Sequence, residues 1–241
     1  LASGTTLFAL SEMVLDQRGD VFGNDGSSNC VSIQQVQGAN IYNNTFRNIM
    51  TMAVWTDAPS FNTTRDVVIQ NNTIENSLGG GISVFGCMFN WVIANNVIAD
   101  CRDDAIAIQG NSTTKTGRDI TIANNVIRDC RSRGTSGAGD ATPRGILVQA
   151  AENVSVIGNA IHRLVAGGIV IDDAPQHYKR PINVTVIGNV ITDTGSIVTN
   201  GPTSGSTAGV PMNGIYVANS DVVNVVGNSI ASCAQIGIFL Q

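Results

Sequence analysis

Two adjacent carboxylates, Asp103 and Asp104, stand directly before the short alternating apolar segment 105–108 (AIAI). Neighbouring carboxyls suit general acid–base catalysis, because one of them can carry a proton while the other stays ionised. The same residue type is also common in turns, where its oxygens accept hydrogen bonds from the backbone. The choice between a catalytic pair and a turn depends on the elements that carry these residues.

A second concentration of reactive residues lies in the segment 172–180, with the sequence DDAPQHYKR. The chain has only two lysines and two histidines, and one of each falls here. β-Elimination or epimerisation of a uronic acid needs a charge neutraliser, a base and an acid, and this segment contains all three residue types. The alternative interpretation is a solvated polar loop. The residues concerned are Asp172, His177, Tyr178, Lys179 and Arg180.

Composition and charge exclude several classes of protein. A net charge of −5 argues against nucleic acid or an anionic membrane as partner. No apolar run reaches the roughly 18 residues of a transmembrane helix. The five cysteines have no metal-ligand spacing, so we predict no metal site and no cofactor; Ca²⁺ is possible but nothing indicates it. We expect residues 1–241 to form one domain that is part of a longer chain.

An internal repeat determines the fold class. An Asn precedes a small residue by the same nine positions in several coils, as from Asn72 to Gly81 and from Asn159 to Gly168. The apolar residues around these markers alternate with a period of two, which indicates strands and not helices. The shortest coil has about 23 residues and three strands. The sequence therefore predicts an all-β, right-handed parallel β-helix of about eight coils. The Asn markers are Asn44, Asn72, Asn96, Asn125, Asn159, Asn189 and Asn228.

The repeated Asn is interpreted as structural. Asn tolerates the left-handed backbone of a tight turn, and its side chain can bond to the Asn of the next coil. Cys101 and Cys130 occupy equivalent positions in consecutive coils. This predicts a stacked thiol pair, with a disulfide as the alternative if the geometry is favourable.

The long insertions all flank the third strand of the coil, at 57–66, 109–119 and 172–183 on one side and at 129–144 and 192–213 on the other. Insertions in solenoids collect at the functional face. We expect them to wall a groove whose floor is formed by the outward-facing residues of the third strand. Aromatic rings stack on sugars, and amides and carboxylates bind hydroxyl pairs, so the groove predicts an extended sugar polymer as ligand. The candidate binding residues are Trp55, Asp57, Phe85, Gln109, Gln149, Tyr178, Arg180 and Tyr216.

Spacing along the repeat limits which charged residues can act together. Arg144 stands opposite Asp104 in the next coil, about 5 Å away, and would keep that carboxylate ionised. Asp104 and Asp172 are two coils and five positions apart, on the order of 19 Å. They cannot form the catalytic pair of a glycosidase, whose carboxyls lie about 5–9.5 Å apart.

The repeat resembles the pectate-lyase-like superfamily of right-handed β-helix proteins over nearly the whole chain. That superfamily includes polysaccharide lyases, polygalacturonase-type hydrolases, alginate epimerases and phage tailspike depolymerases. The segment DDAIAI at 103–108 is similar to the DDCIAI segment of polygalacturonases, whose Asp residues act in hydrolysis. The segment GIVIDDAPQH at 168–177 looks like the alginate-epimerase segment in which Asp-Pro-His-Glu ends the same strand. The polygalacturonase Asn-Thr-Asp of the preceding coil is replaced by Gly79-Gly80-Gly81.

The resemblance implies a carbohydrate-active enzyme of the cell exterior or of a virion surface. We expect lyase or epimerase activity on an acidic polysaccharide slightly ahead of hydrolysis. The alternative is a non-catalytic glycan-binding tailspike, adhesin or structural β-helix segment, with a homotrimer as the assembly of a tailspike. The candidate catalytic residues are Asp103, Asp104, Arg144, Asp172, His177 and Lys179.

Overall fold

The computed structural model describes residues 6–17, 28–58, 64–110, 116–131, 143–172, 179–195 and 212–241. In this part of the chain the backbone winds through eight coils of three short strands each. The described residues contain no helix that is long and apolar enough to cross a membrane.

The strands are numbered in chain order, three to a coil. The first four coils contain β1 (Thr6–Ser11), β2 (Val14–Asp16) and β3 (Val31–Ile33), then β4 (Gln37–Tyr42), β5 (Thr45–Ile49) and β6 (Val54–Ala58), then β7 (Thr64–Gln70), β8 (Thr73–Ser77) and β9 (Ile82–Gly86), then β10 (Met88–Ala94), β11 (Val97–Cys101) and β12 (Ile106–Gln109). The last four contain β13 (Gly117–Ala123), β14 (Val126–Arg128) and β15 (Ile146–Gln149), then β16 (Ala151–Ile157), β17 (Ala160–Leu164) and β18 (Ile169–Ile171), then β19 (Ile182–Ile187), β20 (Val190–Thr194) and β21 (Ile215–Val217), then β22 (Asp221–Val226), β23 (Ser229–Ala231) and β24 (Ile238–Leu240).

Equivalent strands of successive coils pair in parallel and form three sheets of eight strands. Sheet A contains the first strand of each coil, sheet B the second and sheet C the third. The register follows the repeat, since Ile106 pairs with Ile82 on one side and with Ile146 on the other. The predicted parallel β-helix of about eight coils is confirmed.

The core lies between the three sheets and is built from the inward residues of every strand. In sheet C these are isoleucine and valine columns such as Ile106 and Ile108, which are fully buried. The larger side chains Phe46 and Trp91 fill the interior at the other sheets. Because side chains alternate across a strand, a period of two places one apolar set inside the solenoid in every coil.

The repeated Asn forms the predicted ladder at the corner between sheets A and B. Six of the seven are buried and Asn228 is half-buried. From the second member onward, each Oδ1 accepts hydrogen bonds from the backbone N–H and the side-chain amide of the Asn one coil earlier, as between Asn125 and Asn96. The left-handed backbone, however, belongs to the preceding residue, such as Asn95 or Asn124, and not to the ladder Asn itself. That part of the prediction was wrong, because the turn and the ladder use neighbouring residues.

Cys101 and Cys130 are free, buried thiols at the corner between sheets B and C. A hydrogen bond between the two side chains, together with burial, raises the pKa of the Cys101 thiol well above its ordinary value. The Cys101 thiol is therefore kept protonated, and both cysteines pack as part of the core.

Candidate functional site

The most buried charged group at the start of sheet C is the carboxylate of Asp104. Its Oδ1 accepts hydrogen bonds from Nε of Arg144 at 2.7 Å and from the backbone N–H of Arg144 at 3.0 Å, and its Oδ2 accepts one from Nη2 at 2.8 Å. The Asp104 side chain is 6% exposed and that of Arg144 is 25% exposed. The repeat brings the two together because residues 104 and 144 hold equivalent places before β12 and β15. A two-pronged contact of this kind fixes both side chains.

The ion pair also alters the titration of Arg144. Burial acts to lower the pKa of its guanidinium, but the neighbouring carboxylates, Asp104 first and then Asp103 and Asp172, outweigh burial and raise it. Arg144 therefore stays a cation beside Asp104. Among the described residues its Nη1 donates no hydrogen bond, so the two N–H groups on Nη1 are left for a ligand.

Asp103 is half-buried and differs from its neighbour. Its Oδ1 accepts the backbone N–H of Asp104 at 2.8 Å, while no described residue donates to its Oδ2. Burial, followed by the negative charge of Asp104, raises the pKa of the Asp103 carboxyl to about 6. The hydrogen bond from the Asp104 backbone and the charge of Arg144 act in the opposite direction but are weaker. Two adjacent carboxyls thus have different roles: Asp104 is bound to a cation, and Asp103 exchanges a proton near neutral pH.

The preceding coil has no room for further side chains beside these carboxyls. A Cβ atom at Gly79 would lie 2.3 Å from the backbone oxygen of Thr51, and one at Gly80 would lie 2.7 Å from that of Asp104. The Met52 sulphur fills the adjacent space and accepts hydrogen bonds from the backbone N–H of Gly80 and the hydroxyl of Ser83. The polygalacturonase-type Asn-Thr-Asp therefore has no counterpart at this backbone, which leaves Asp103 and Asp104 without that partner.

The floor of sheet C is not the open surface that alternation alone predicts. The outward residues Ala107, Leu147 and Val170 are buried and form a second apolar cluster outside the main core, against which Tyr216 packs. Gln149 is also buried. The expectation that outward residues of the third strand all line an open groove is wrong for these coils, because burial depends on what lies over a sheet and not on its pleat.

Tyr216 holds a stacked position rather than an open one. Its ring lies parallel to that of Phe239 in the next coil, with 5.2 Å between the ring centroids and an interplanar angle of 4°. One ring face is therefore covered by Phe239, and the ring also packs against the cluster around Val170.

Half-buried aromatic side chains lie on sheet C closer to the N-terminus. Trp55 on β6 and Phe85 on β9 are both partly accessible. Gln109 is half-buried and donates from Nε2 to Oε1 of Gln149 at 2.8 Å, so the two amides form a ladder across the C-terminal ends of β12 and β15. Asp57 lies on β6, but its side chain is outside the described residues.

The structure describes two cations of the 172–180 segment, Lys179 and Arg180, and both lie near carboxylates. The ammonium group of Lys179 forms an ion pair with Glu152, and Arg180 lies 3.7 Å from Asp221. Asp172 accepts a hydrogen bond from the Asn219 amide at 3.1 Å. His177, Tyr178 and Lys115 lie outside the described residues. Lys179 is thus paired with a residue near the N-terminal end of β16 in sheet A, a contact that the sequence pattern did not indicate.

Residues 100–104 also anchor both sides of the insertion at 129–144. Arg131 donates from its backbone to the Cys101 oxygen at 3.0 Å and from Nε to the Asp100 carboxylate at 3.3 Å. On the far side of the insertion, Arg144 is bound to Asp104. The carboxylate turn therefore has a structural task in addition to its chemistry. Among the described residues no group of three or more His, Cys, Asp or Glu side chains is placed to bind a metal ion.

Comparison with known proteins identifies the family. The model of the right-handed β-helix region family matches residues 29–240, and the chain belongs to that family. No curated protein matches the sequence. Among solved structures, the A-module of the mannuronan C-5 epimerase AlgE4 from Azotobacter vinelandii is similar at 16% identity and a TM-score of 0.40, covering 98% of this chain and 72% of that one.

Proposed function

We propose that this protein is an enzyme that cleaves or modifies an extended polysaccharide on the outer face of sheet C, with Asp103 as the group that transfers the proton. The observation that carries the proposal is the half-buried Asp103 carboxyl, which titrates near neutral pH beside a fixed, buried ion pair. Groups whose pKa is shifted toward the working pH by burial and a charged neighbour are typical of catalytic sites.

The surroundings of Asp103 suit a polymer rather than a small molecule. Trp55 lies two coils and three strand positions from Asp104, on the order of 14 Å at standard spacings. An aromatic ring at that distance can stack on a sugar remote from the reacting bond. Phe85 lies on the coil in between, and Gln109 lies on the same coil as Asp103. Binding at several sugars would hold the reacting unit in place at Asp103.

Within this proposal, β-elimination or epimerisation of a uronate polymer is preferred to hydrolysis. Hydrolysis by a carboxyl pair needs two carboxyls free to act, and Asp104 is held by Arg144 on both oxygens. Proton abstraction from C5 needs one base, which Asp103 supplies when ionised. In elimination, the C5 electron pair forms the C4–C5 double bond as the C4–O bond breaks and the leaving oxygen takes a proton. In epimerisation, a proton returns to C5 from the other face.

Arg144 is the described cation available to a substrate carboxylate, through its Nη1. Three other described basic residues, Lys179, Arg180 and Arg131, face carboxylates of the protein itself. The choice of an acidic polymer therefore depends on Arg144. An extracellular or virion-surface location agrees with a polysaccharide substrate and is part of the same proposal.

A second candidate function is glycan binding without catalysis, as in a tailspike or adhesin segment, where a homotrimer is the expected assembly. The burial of Leu147 and Val170 favours it, because much of the sheet C face is occupied by the protein's own apolar packing. Such a surface binds through its accessible aromatic and amide groups and needs no titrating carboxyl.

The test is a screen of the purified protein against uronic and neutral polysaccharides, following the ultraviolet absorbance of unsaturated uronates and the appearance of reducing ends. Both signals together identify a lyase, reducing ends alone a hydrolase, and an altered NMR spectrum of the polymer without either signal an epimerase. Asp103→Asn should abolish the activity, while Asp119→Asn, which changes an exposed carboxylate on sheet A, should retain it. Binding of a polysaccharide without new absorbance, new reducing ends or a changed NMR spectrum would reject catalysis and support the second candidate.

A further inference from the structure

A continuous set of contacts links Arg144 to Asp103. The guanidinium holds both oxygens of Asp104, and the backbone N–H of Asp104 donates to Oδ1 of Asp103. Any change in the position or charge of the ion pair therefore reaches Asp103 both through space and through the peptide that joins the two carboxyls. The pair is bound on three hydrogen bonds and is largely buried, so its position is fixed.

We propose that the Asp104–Arg144 ion pair is a positioning pair that sets the charge state of Asp103, with Asp104 favouring its protonated form and Arg144 its ionised form. The pair acts through Asp103 and need not touch the reacting atoms. Its importance for the reaction rests on the proposed function, whereas the electrostatic coupling itself does not.

Among the residues that the structure describes, few ionisable groups surround Asp103. Asp104 and Arg144 are the two whose charges act on it directly, and Asp172 acts on Arg144. Asp100, Cys101 and Arg102 precede it on the same corner, and the Cys101 thiol is held protonated by its contact with Cys130. The residues opposite Asp103 in the adjoining coils, Gly79 and Pro143, carry no charge.

The two members of the pair have opposite expected effects. In Asp104→Asn the repulsion from Asp104 is lost and Arg144 is left without its partner, so both changes favour the ionised form of Asp103. In Arg144→Gln the attraction is lost while the negative charge of Asp104 remains, so the protonated form is favoured. A residue that only stabilises the fold would not shift the titration of Asp103 in opposite directions.

The experiment is an NMR titration of the Asp103 side-chain carboxyl carbon in the wild-type chain and in four variants. We expect the pKa of Asp103 to fall by about one unit in Asp104→Asn, to rise by a similar amount in Arg144→Gln, and to stay near the wild-type value in Arg144→Lys. Asp100→Asn is the matched control, since Asp100 lies three residues away, pairs with Arg131, and should leave the Asp103 titration unchanged.

Because Arg144→Gln leaves a buried carboxylate uncompensated and can prevent folding, the double variant Asp104→Asn/Arg144→Gln supplies an uncharged reference. The pKa of Asp103 should be higher in this double variant than in Asp104→Asn, because the positive charge of Arg144 no longer favours the ionised carboxylate. An unchanged titration in Asp104→Asn, or shifts of the same sign on removal of either charge, would overturn the proposal. If the wild-type chain shows turnover, its activity should change with pH as Asp103 ionises. In each variant that change should shift by the same amount as the Asp103 pKa. Absence of turnover with the predicted titrations would reject the enzyme and leave the positioning pair standing.

Discussion

At the scale of single residues, Asp103 and Asp104 share a residue type and a position at the start of one strand, yet their environments differ. Asp104 is bound by three hydrogen bonds to Arg144, whereas Asp103 receives one from the backbone. Burial of a carboxyl without a strong partner favours its neutral form, and burial with a bidentate cation favours the ionised form. The environment, not the side chain, separates the two roles.

The raised pKa of Asp103 predicts how stability depends on pH. Its value is about 6 in the fold and 3.8 for an ordinary Asp, so the folded state binds the proton more tightly. The contribution of Asp103 to the free energy of unfolding is therefore most favourable below about pH 4. It falls as the pH rises to about 6 and stays constant at higher pH. Asp103→Asn should raise the free energy of unfolding by on the order of 2 kcal/mol at about pH 7.5 and leave it nearly unchanged at about pH 4.

Urea denaturation of the wild-type and Asp103→Asn chains at the two pH values measures this difference. Groups remote from Asp103 titrate equally in both chains and cancel in the comparison. A gain of the same size at both pH values would mean that Asp103 is not protonated preferentially in the fold.

The Asp104–Arg144 ion pair predicts a second effect on stability. Arg144→Ala removes the described cation that binds Asp104 and leaves a nearly buried carboxylate with a backbone N–H donor but no countercharge, which should cost about 3 kcal/mol of unfolding free energy. Arg163→Ala is the matched control: Arg163 also holds a carboxylate, Asp129, on two nitrogens, but on the exposed surface. It should change the urea midpoint little, because water replaces the lost contact. Equal losses in the two variants would contradict the burial argument.

At the scale of elements, the Asn ladder fixes the corner between sheets A and B. Each member links its own coil to two others: Asn125 accepts from Asn96 and donates to Asn159 and to the backbone oxygen of Ile93. The ladder thus satisfies backbone groups that the turn takes out of the sheet pairing. Inside the solenoid no water replaces these bonds.

A ladder substitution should therefore be far more costly than one at the adjoining turn residue. Asn125→Ala leaves the Asn96 N–H and the Ile93 oxygen without partners and should cost about 3 kcal/mol. Asn124 is exposed and left-handed, so Asn124→Gly keeps the backbone conformation and should cost less than about 1 kcal/mol. Denaturant midpoints compare the two. A larger loss at position 124 would show that the turn, not the ladder, holds the corner.

At the scale of the whole molecule, the described strands of each coil pair with those of the coils immediately before and after it. Stability in such a chain is close to a sum over coils and their interfaces, and a coil with neighbours on both sides is held best. Interior residues of β15, such as Ile146, are fully buried, while Ile238 and Leu240 on β24 are 43% and 64% exposed. Hydrogen exchange of this 241-residue chain should therefore be slowest in β12, β15 and β18 and fastest in β24. Uniform protection along the chain would indicate that it unfolds as a single cooperative unit.

The sequence by itself determined the fold. The period of two in the apolar residues and the recurring Asn and small residues repeat at a constant spacing, and any one coil exposes an apolar edge that only an equivalent coil can cover. The Asn ladder, the pairing of Cys101 with Cys130, and Arg144 opposite Asp104 all follow from register. These features are local to one coil and its neighbour, so spacing is sufficient to predict them.

Only the tertiary structure decided which outward residues are accessible and which charges are already paired. Alternation places Leu147 and Val170 outside the solenoid but does not indicate that they are buried there. The Lys179 pairing with Glu152 and the stacking of Tyr216 on Phe239 depend on where side chains outside the core come to lie. The raised pKa of Asp103 likewise arises from burial together with the charge of Asp104. Register is a one-dimensional property of the repeat, whereas burial and electrostatics sum over all surrounding atoms.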